Sequence, residues 1–318
     1  MQYRRILVLG GSGFIGAPLA ERLVEGNRQV LVPTRRPVRA AHLRPLPTVE
    51  IVAADIHRDD ELADLVGRCD AVVNLVGILH GRTGDPFGPD FAAAHVELPR
   101  RIVAACARHK VRRLIHVSAL GVADDGKSGP SMYLRSKAAG EQVVREADRI
   151  DWTILRPSVI FGPRDKLMNT FAALQRFAPL VPLARADTRL QPVYVGDVAQ
   201  AIVASLDNRV TQGRCYELAG PQVFTLAQLF ELAGLYAGRV APVLPLPDWV
   251  GRLQATALEF APGPTLMSRD NFDSLSIDNV ASGPIAPELG IVPSSLAAIV
   301  PGYLAPRDAD ERRPRGGV

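Results

Sequence analysis

Residues 6–16 read ILVLGGSGFIG: four apolar residues, Ile6–Leu9, run into glycines at positions 10, 11, 13 and 16. So short an apolar run closed by glycine reads as a buried strand. The following GAPLAERLVEG, with Leu19, Leu23 and Val24 on one stripe, reads as a helix. Gly10, Gly13 and Gly16 fit GxxGxxG, and Gly11, Gly13 and Gly16 fit GxGxxG. Between a strand and a helix, such glycines let the backbone approach a pyrophosphate seated on the free N–H groups of the helix start. The plainer reading is a tight turn with no ligand, and the strand–helix context favours the nucleotide.

Working outward, the first half alternates strand and helix patterns. QVLVPT, VEIVAAD, AVVNLVGI, RLIHVSAL and DWTILRPSVIFG read as strands, with helical stretches such as VELPRRIVAACARHK and SMYLRSKAAGEQVVREA between them. Strands apolar throughout and separated by helices indicate an α/β fold: a Rossmann-type, doubly wound parallel sheet. Residues 1–162 form this domain, with 190–220 (QPVYVGDVAQAIVASL and CYELAG) returning to the sheet. The Pro-rich stretches at 163–189 and 221–306 read as a smaller, irregular C-terminal lobe. The charged tail 307–318 has no apolar anchor and reads as disordered.

The composition excludes several classes. A net charge of +4, from 37 basic and 33 acidic residues, is too slight for a nucleic-acid binder. Cys69, Cys106 and Cys215 lie far apart, which suits a reducing compartment. The six histidines show no metal-ligand spacing, so no metal site is expected. No secretory signal and no apolar run of membrane-spanning length is visible. The expected location is the cytoplasm, with peripheral attachment to the inner face of a membrane left open.

An NAD-preferring site places an acid at the end of the second strand to hold the ribose hydroxyls. Here that place holds Thr34, followed by Arg35 and Arg36. Two guanidiniums there pair with a 2′-phosphate, so NADP(H) is expected over NAD(H). Two solvated arginines are the bland alternative. Asp55, ending the third strand, suits an adenine amino group or a plain cap. Further on, Tyr133 and Lys137 form YxxxK, one face of a helix. A nearby ammonium is expected to lower the phenol pKa toward proton transfer.

GGSGFIG, Asp55, NLVG (74–77), Ser118, YLRSK and LRPSVIFGPRD together resemble the extended and atypical short-chain dehydrogenase/reductases, over about two thirds of the chain. RLIHVSALG, RPSVIFGPRDKLMNTFA, QPVYVGDVAQAI and YELAGP are similar to bacterial relatives of the NADPH-binding accessory subunit of respiratory complex I. That resemblance implies nucleotide holding with little or no turnover, and subunits of a respiratory complex at the membrane surface as partners. It implies a dinucleotide lined by Gly10, Gly13, Phe14, Ile15, Gly16, Thr34, Arg35, Arg36, Asp55, Ile56, Val76, Gly77, Lys137, Pro157 and Val159. Catalytic roles, if any, fall to Tyr133, Lys137 and Ser118, in a reductase, dehydrogenase or epimerase acting on a small or nucleotide-linked substrate. One departure stands out: family enzymes often carry two hydroxyl residues where this chain has Ser118-Ala119.

Other residues have plainer expected uses. Asn74 stitches neighbouring strands, and Asp197 caps a helix. Arg164, Lys166, Asn169, Arg185 and Arg269 are compatible with a phosphorylated substrate or with a solvated surface. Trp249, Leu253, Thr256 and Phe260 share a helix face, with core packing expected and a partner or membrane surface as the alternative.

Overall fold

The computed structural model describes residues 3–260 and 267–305; the tail from 307 lies outside them. The first half runs β1 (Arg5–Leu9), α1 (Gly16–Glu25), β2 (Gln29–Thr34), β3 (Val49–Ala53), α2 (Asp59–Gly67) and β4 (Ala71–Asn74). A single turn, α3 (Pro89–Phe91), leads through a π-helical stretch, Ala92–Glu97, into α4 (Leu98–His109). β5 (Arg113–Val117), α5 (Met132–Arg145) and β6 (Asp151–Pro157) follow. The second half begins with β7 (Ile160–Phe161), α6 (Leu167–Phe177), β8 (Val181–Ala184), β9 (Arg189–Leu190), β10 (Val193–Tyr194) and α7 (Val195–Asp207). It ends with β11 (Arg214–Leu218), β12 (Phe224–Thr225), α8 (Leu226–Tyr236), β13 (Val243–Leu246), α9 (Asp248–Glu259), α10 (Arg269–Ser274), α11 (Leu296–Ile299) and α12 (Pro301–Leu304).

Seven strands form one parallel sheet in the order β11-β6-β5-β4-β1-β2-β3. The strand order reverses between β1 and β4, the switch point where a doubly wound sheet opens its ligand crevice. Alternate residues of β1 and β2 serve opposite faces. Ile6, Val8, Val30 and Val32 pack under α1 and α7, whereas Leu7, Leu9 and Leu31 pack under α2 and α4. Both faces are covered, which is why these strands are apolar throughout. A third cluster, including Phe161, Met168, Leu229, Phe230 and Val300, is the core of the second lobe.

The stretch DWTILRPSVIFG does not run as one strand. β6 ends at Pro157, and β7 pairs with β10 outside the main sheet, so the strand at 193–194 also stays out of it. Asn279 takes over at the break: its Oδ1 accepts from Ser158 Oγ (2.6 Å) and the Val159 N–H (3.1 Å), and its Nδ2 donates to the Leu120 carbonyl (3.1 Å). Of the returning segments, β11 joins the sheet edge beside β6.

Trp249, Leu253 and Phe260 are 70%, 62% and 75% exposed, so their stripe is not core. α9 turns its small residues inward instead: a Cβ on Gly251 would lie 2.4 Å from the Ala184 Cβ and 2.8 Å from the Phe272 ring. The spacing fixed which residues share a face but not which face is buried. Asp197 is not a cap either. The residue preceding α7 is Tyr194, and Asp197 accepts from the Ser294 N–H (2.7 Å) and hydroxyl (3.1 Å). Among the described residues no helix is long and apolar enough to cross a membrane.

Candidate functional site

The site is built where β1 and β4 end. Gly10 has φ +78°, and a Cβ there would stand 3.2 Å from the backbone of Leu75 and Val76, so the loops after β1 and β4 touch. The Gly13 N–H closes a turn on the Gly10 carbonyl at 2.9 Å. Gly16 is tighter still: a Cβ would sit 1.9 Å from the Gly11 carbonyl oxygen. Only hydrogen fits, which lets α1 begin directly above β1. That helix has no side-chain cap and no acid in its first turn. Its leading N–H groups and positive dipole end are therefore left for an anion, and the glycine loop fits a pyrophosphate. Phe14 and Ile15 lie half-buried on this loop.

At the end of β2, Thr34 Oγ1 accepts from the Arg36 N–H at 3.2 Å, a local turn that leaves Arg35 and Arg36 exposed. Neither guanidinium has a carboxylate partner among the described residues. After β3, Asp55 spends one oxygen on the His57 N–H (3.1 Å), and Ile56 is half-buried beside it.

At the end of β4, Asn74 is fully buried. Its Oδ1 accepts from the Val76 N–H (3.1 Å) and its Nδ2 donates to His116 Nδ1 on β5 (3.1 Å). Asn74 thus joins two strands and shapes the loop bearing Val76 and Gly77. A Cβ on Gly77 would lie 3.4 Å from Lys137 Nζ. The β4 loop therefore passes directly over the lysine.

Lys137 and Tyr133 stand one turn apart on α5. Lys137 is buried and donates to the Val117 carbonyl at 2.9 Å, and burial brings its pKa down to about 8. The Tyr133 ring meets His95 edge-on, with centroids 5.6 Å apart. Its phenol is pushed up to about 12, first by burial and then by the Asp270 carboxylate. The lowering expected from Lys137 is overturned, because lost hydration and a nearby negative charge both favour the neutral phenol. His95 Nε2 accepts from the Ile78 N–H (3.0 Å), so its proton sits on Nδ1 and points to Ser136 Oγ (2.8 Å). Ser136 in turn donates to the Tyr133 carbonyl (2.8 Å).

Ser118 is 4% exposed, and its Oγ has no partner among the described residues. It does not brace its loop through the hydroxyl; its backbone N–H does so, donating to Leu155. Ala119 beside it is buried and supplies no donor. Pro157 is buried, and Val159 is fixed on both sides by Asn279 and by the Val193 N–H. The structure thus brings the glycine loop, Val76, Gly77 and Lys137 to the carboxyl ends of the central strands. Pro157 and Val159 border the same edge from β6.

Of the cations read for a phosphorylated substrate, two are engaged elsewhere. Arg185 pairs with Asp248 (2.8 Å) and lies 4.8 Å over the Phe272 ring, and Arg269 pairs with Glu259 (2.9 Å). Asn169 donates to the Asp165 carbonyl (3.0 Å). Arg164 and Lys166 remain exposed. Asp270 and Asn279, silent in the sequence, reach the site from far downstream. The only local signal is the Ser268–Asn271 capping box, which marks a helix start and says nothing of the partner. No group of three or more His, Cys, Asp or Glu converges as a metal site among the described residues.

Comparison with known proteins adds sequence and fold likeness. The model of the NAD dependent epimerase/dehydratase family matches residues 6–219. The chain is 30% identical over 290 residues to NADH dehydrogenase (ubiquinone) 1 alpha subcomplex subunit 9, mitochondrial, of Arabidopsis thaliana, covering 86% of this chain and 70% of that protein. The Rattus norvegicus protein of the same name is 31% identical over 301 residues, covering 91% of this chain and 76% of that one. Among solved structures, the dTDP-glucose 4,6-dehydratase DesIV of Streptomyces venezuelae, solved with NAD bound, superposes with a TM-score of 0.72 at 21% identity. That match covers 94% of this chain and 95% of the other.

Proposed function

This chain belongs to the NAD dependent epimerase/dehydratase family, and on that premise we propose that it holds NADP(H) with little or no turnover, as a companion of a membrane-bound respiratory complex. The observation that carries the reading is the state of the centre around α5. Ala119 offers no second hydroxyl, Ser118 Oγ is buried without a partner among the described residues, and burial holds the Tyr133 phenol above its ordinary range. The cradle is complete while the proton-transfer groups are poorly poised. The relatives named as subunits of NADH dehydrogenase support the same reading.

In this reading Gly10, Gly13 and Gly16 take the pyrophosphate, with Phe14 and Ile15 flanking it. Arg35 and Arg36, turned out by Thr34, take a 2′-phosphate, and Asp55 and Ile56 border the adenine. Val76, Gly77, Lys137, Pro157 and Val159 line the nicotinamide half. When bound, the cofactor supplies a hydride donor or acceptor at its nicotinamide; the chain itself orients and shields it. Wild-type protein is expected to bind NADPH at least about tenfold more tightly than NADH in calorimetry. Charge-assisted hydrogen bonds contribute about 1.5–3 kcal/mol each. Replacing Arg35 and Arg36 by Ala is expected to weaken NADPH at least about tenfold and leave NADH within about twofold. Tighter NADH binding by the wild type would remove the role given to these arginines.

A second reading, an active reductase, dehydrogenase or epimerase, is favoured by one observation: Tyr133 and Lys137 do share a face of α5 beneath the β4 loop. In that case Tyr133 is the acid/base and Lys137 its positioning cation. Steady NADPH oxidation with a small carbonyl or nucleotide-sugar substrate, lost in Tyr133→Phe, would establish it and overturn the holding role. The expected result is no such oxidation above background, with co-purification of respiratory complex subunits.

A further inference from the structure

The first N–H groups of a helix have no acceptor within it, so their partners must be found elsewhere. In α5 the Met132 N–H donates to one oxygen of Asp270 at 2.6 Å and the Tyr133 N–H to the other at 3.1 Å. Ser131 serves the next two, its hydroxyl accepting from the Leu134 N–H and its carbonyl from that of Arg135. Two of the donors at the start of the tyrosine's helix are thus satisfied by a residue 138 and 137 positions downstream. Asp270 is 6% exposed and has no ion-pair partner among the described residues, so these two bonds and the helix dipole, with a weaker pull from Arg135, meet its charge.

The same short helix grips the facing wall. Asn271 Nδ2 donates to the Leu79 carbonyl (3.4 Å), and Ser268 Oγ lies 3.4 Å from His80 Nδ1. Leu79 and His80 follow closely on Val76 and Gly77. Ser274 Oγ meets Ser131 Oγ at 2.8 Å, a second tie to the start of α5. α10 therefore spans from the β4 loop to α5, across the two elements that enclose Lys137.

We propose that Asp270 is a latch: it positions α5, and with it Tyr133 and Lys137, against the dinucleotide, so that docking of α10 and holding of the dinucleotide are coupled. The proposal rests on the preceding reading that a dinucleotide lies between the glycine loop and α5. Such coupling is reciprocal. If docked α10 strengthens dinucleotide binding by some factor, bound dinucleotide strengthens α10 docking by the same factor.

The test uses the full chain with NADPH as probe. Hydrogen exchange of residues 267–276 is measured with and without saturating NADPH, and binding is measured by calorimetry. In the wild type, NADPH is expected to slow exchange of this segment. Asp270→Asn keeps the size but places an amide N–H₂ against one of the two N–H donors. It is expected to raise the NADPH Kd about 5- to 50-fold and to abolish the protection, with Asp270→Glu restoring part of both. A merely structural role would lower the melting temperature of Asp270→Asn but leave the Kd and the NADPH-induced protection of α10 intact, and that outcome overturns the latch. Should the Asn variant fail to fold, the wild-type exchange experiment still decides: bound NADPH with unchanged exchange at 267–276 refutes the coupling. Wild type that binds neither NADPH nor NADH overturns the dinucleotide reading and the latch with it.

Discussion

Gly16→Ala is expected to raise the NADPH Kd by at least about 100-fold and to destabilise the protein by more than about 3 kcal/mol. The methyl group would sit 1.9 Å from the Gly11 carbonyl oxygen and 2.6 Å from its Cα, where both opposing groups are backbone. No side chain can rotate away, so α1 must lift off β1 or the glycine loop must open. Either movement takes the helix N–H groups away from the pyrophosphate. Two neighbours calibrate the effect. At Gly13 a Cβ meets only the Gly10 oxygen at 3.1 Å, and at Gly26 the nearest atom is 3.4 Å away with an ordinary negative φ. Gly13→Ala is expected to be intermediate and Gly26→Ala close to neutral, in calorimetry and denaturant unfolding alike. If Gly16→Ala bound within threefold of wild type, the close helix–strand approach would not be what makes the cradle.

The second large effect is a loss of stability in mild acid. Burial first, and then the Lys137 ammonium, bring His95 down to about 2 and His116 to about 3, against 6.5 for a free imidazole. Both rings are also committed as acceptors, His95 Nε2 to the Ile78 N–H and His116 Nδ1 to Asn74, so protonation would break these bonds. The unfolded chain binds the two protons more readily than the folded one. Stability is therefore fully present above pH 6.5 and is lost as the pH falls below it, by up to about 2.7 kcal/mol per unit for the pair. At pH 5 this removes about 4 kcal/mol, a large part of the 5–15 kcal/mol that holds a typical domain. Urea unfolding at pH 8, 6.5 and 5 measures it. A His95→Gln, His116→Gln double variant is expected to be less stable at pH 8 but to show a flatter acid limb. Parallel slopes in the two proteins would mean that the folded imidazoles take up protons normally.

Much of the sheet was legible because its signals are local. The run Ile6–Leu9 and the glycines after it declare a strand, a turn and a helix within twenty residues, and the YxxxK spacing puts Tyr133 and Lys137 on one face. The family resemblance, read from motifs across two thirds of the chain, agrees with the match over residues 6–219. What escaped depends on contacts between distant segments. Nothing near Asp270 announces that its carboxylate serves Met132 and Tyr133, and nothing near Asn279 announces the break at Ser158. In sequence the Tyr133 phenol has only its lysine neighbour, whereas in the fold burial and Asp270 decide its direction. The stripe on α9 failed differently: an apolar face is visible in sequence, but the inward choice fell to Gly251 and Ala255, whose small size lets the helix sit against Phe272.

The long reach of Asp270 also orders events at the ribosome. Tyr133 is synthesised 137 residues before the carboxylate that completes its helix start. At about 5–20 residues per second that is an interval of roughly 7–27 s. Through it, α5 must wait with two backbone donors satisfied only by water, although β6, the strand it packs against, follows within a few residues of its end. The nascent chain can thus assemble the glycine cradle well before it can close the wall above Lys137. Half of the site is made early, and the other half arrives 137 residues later.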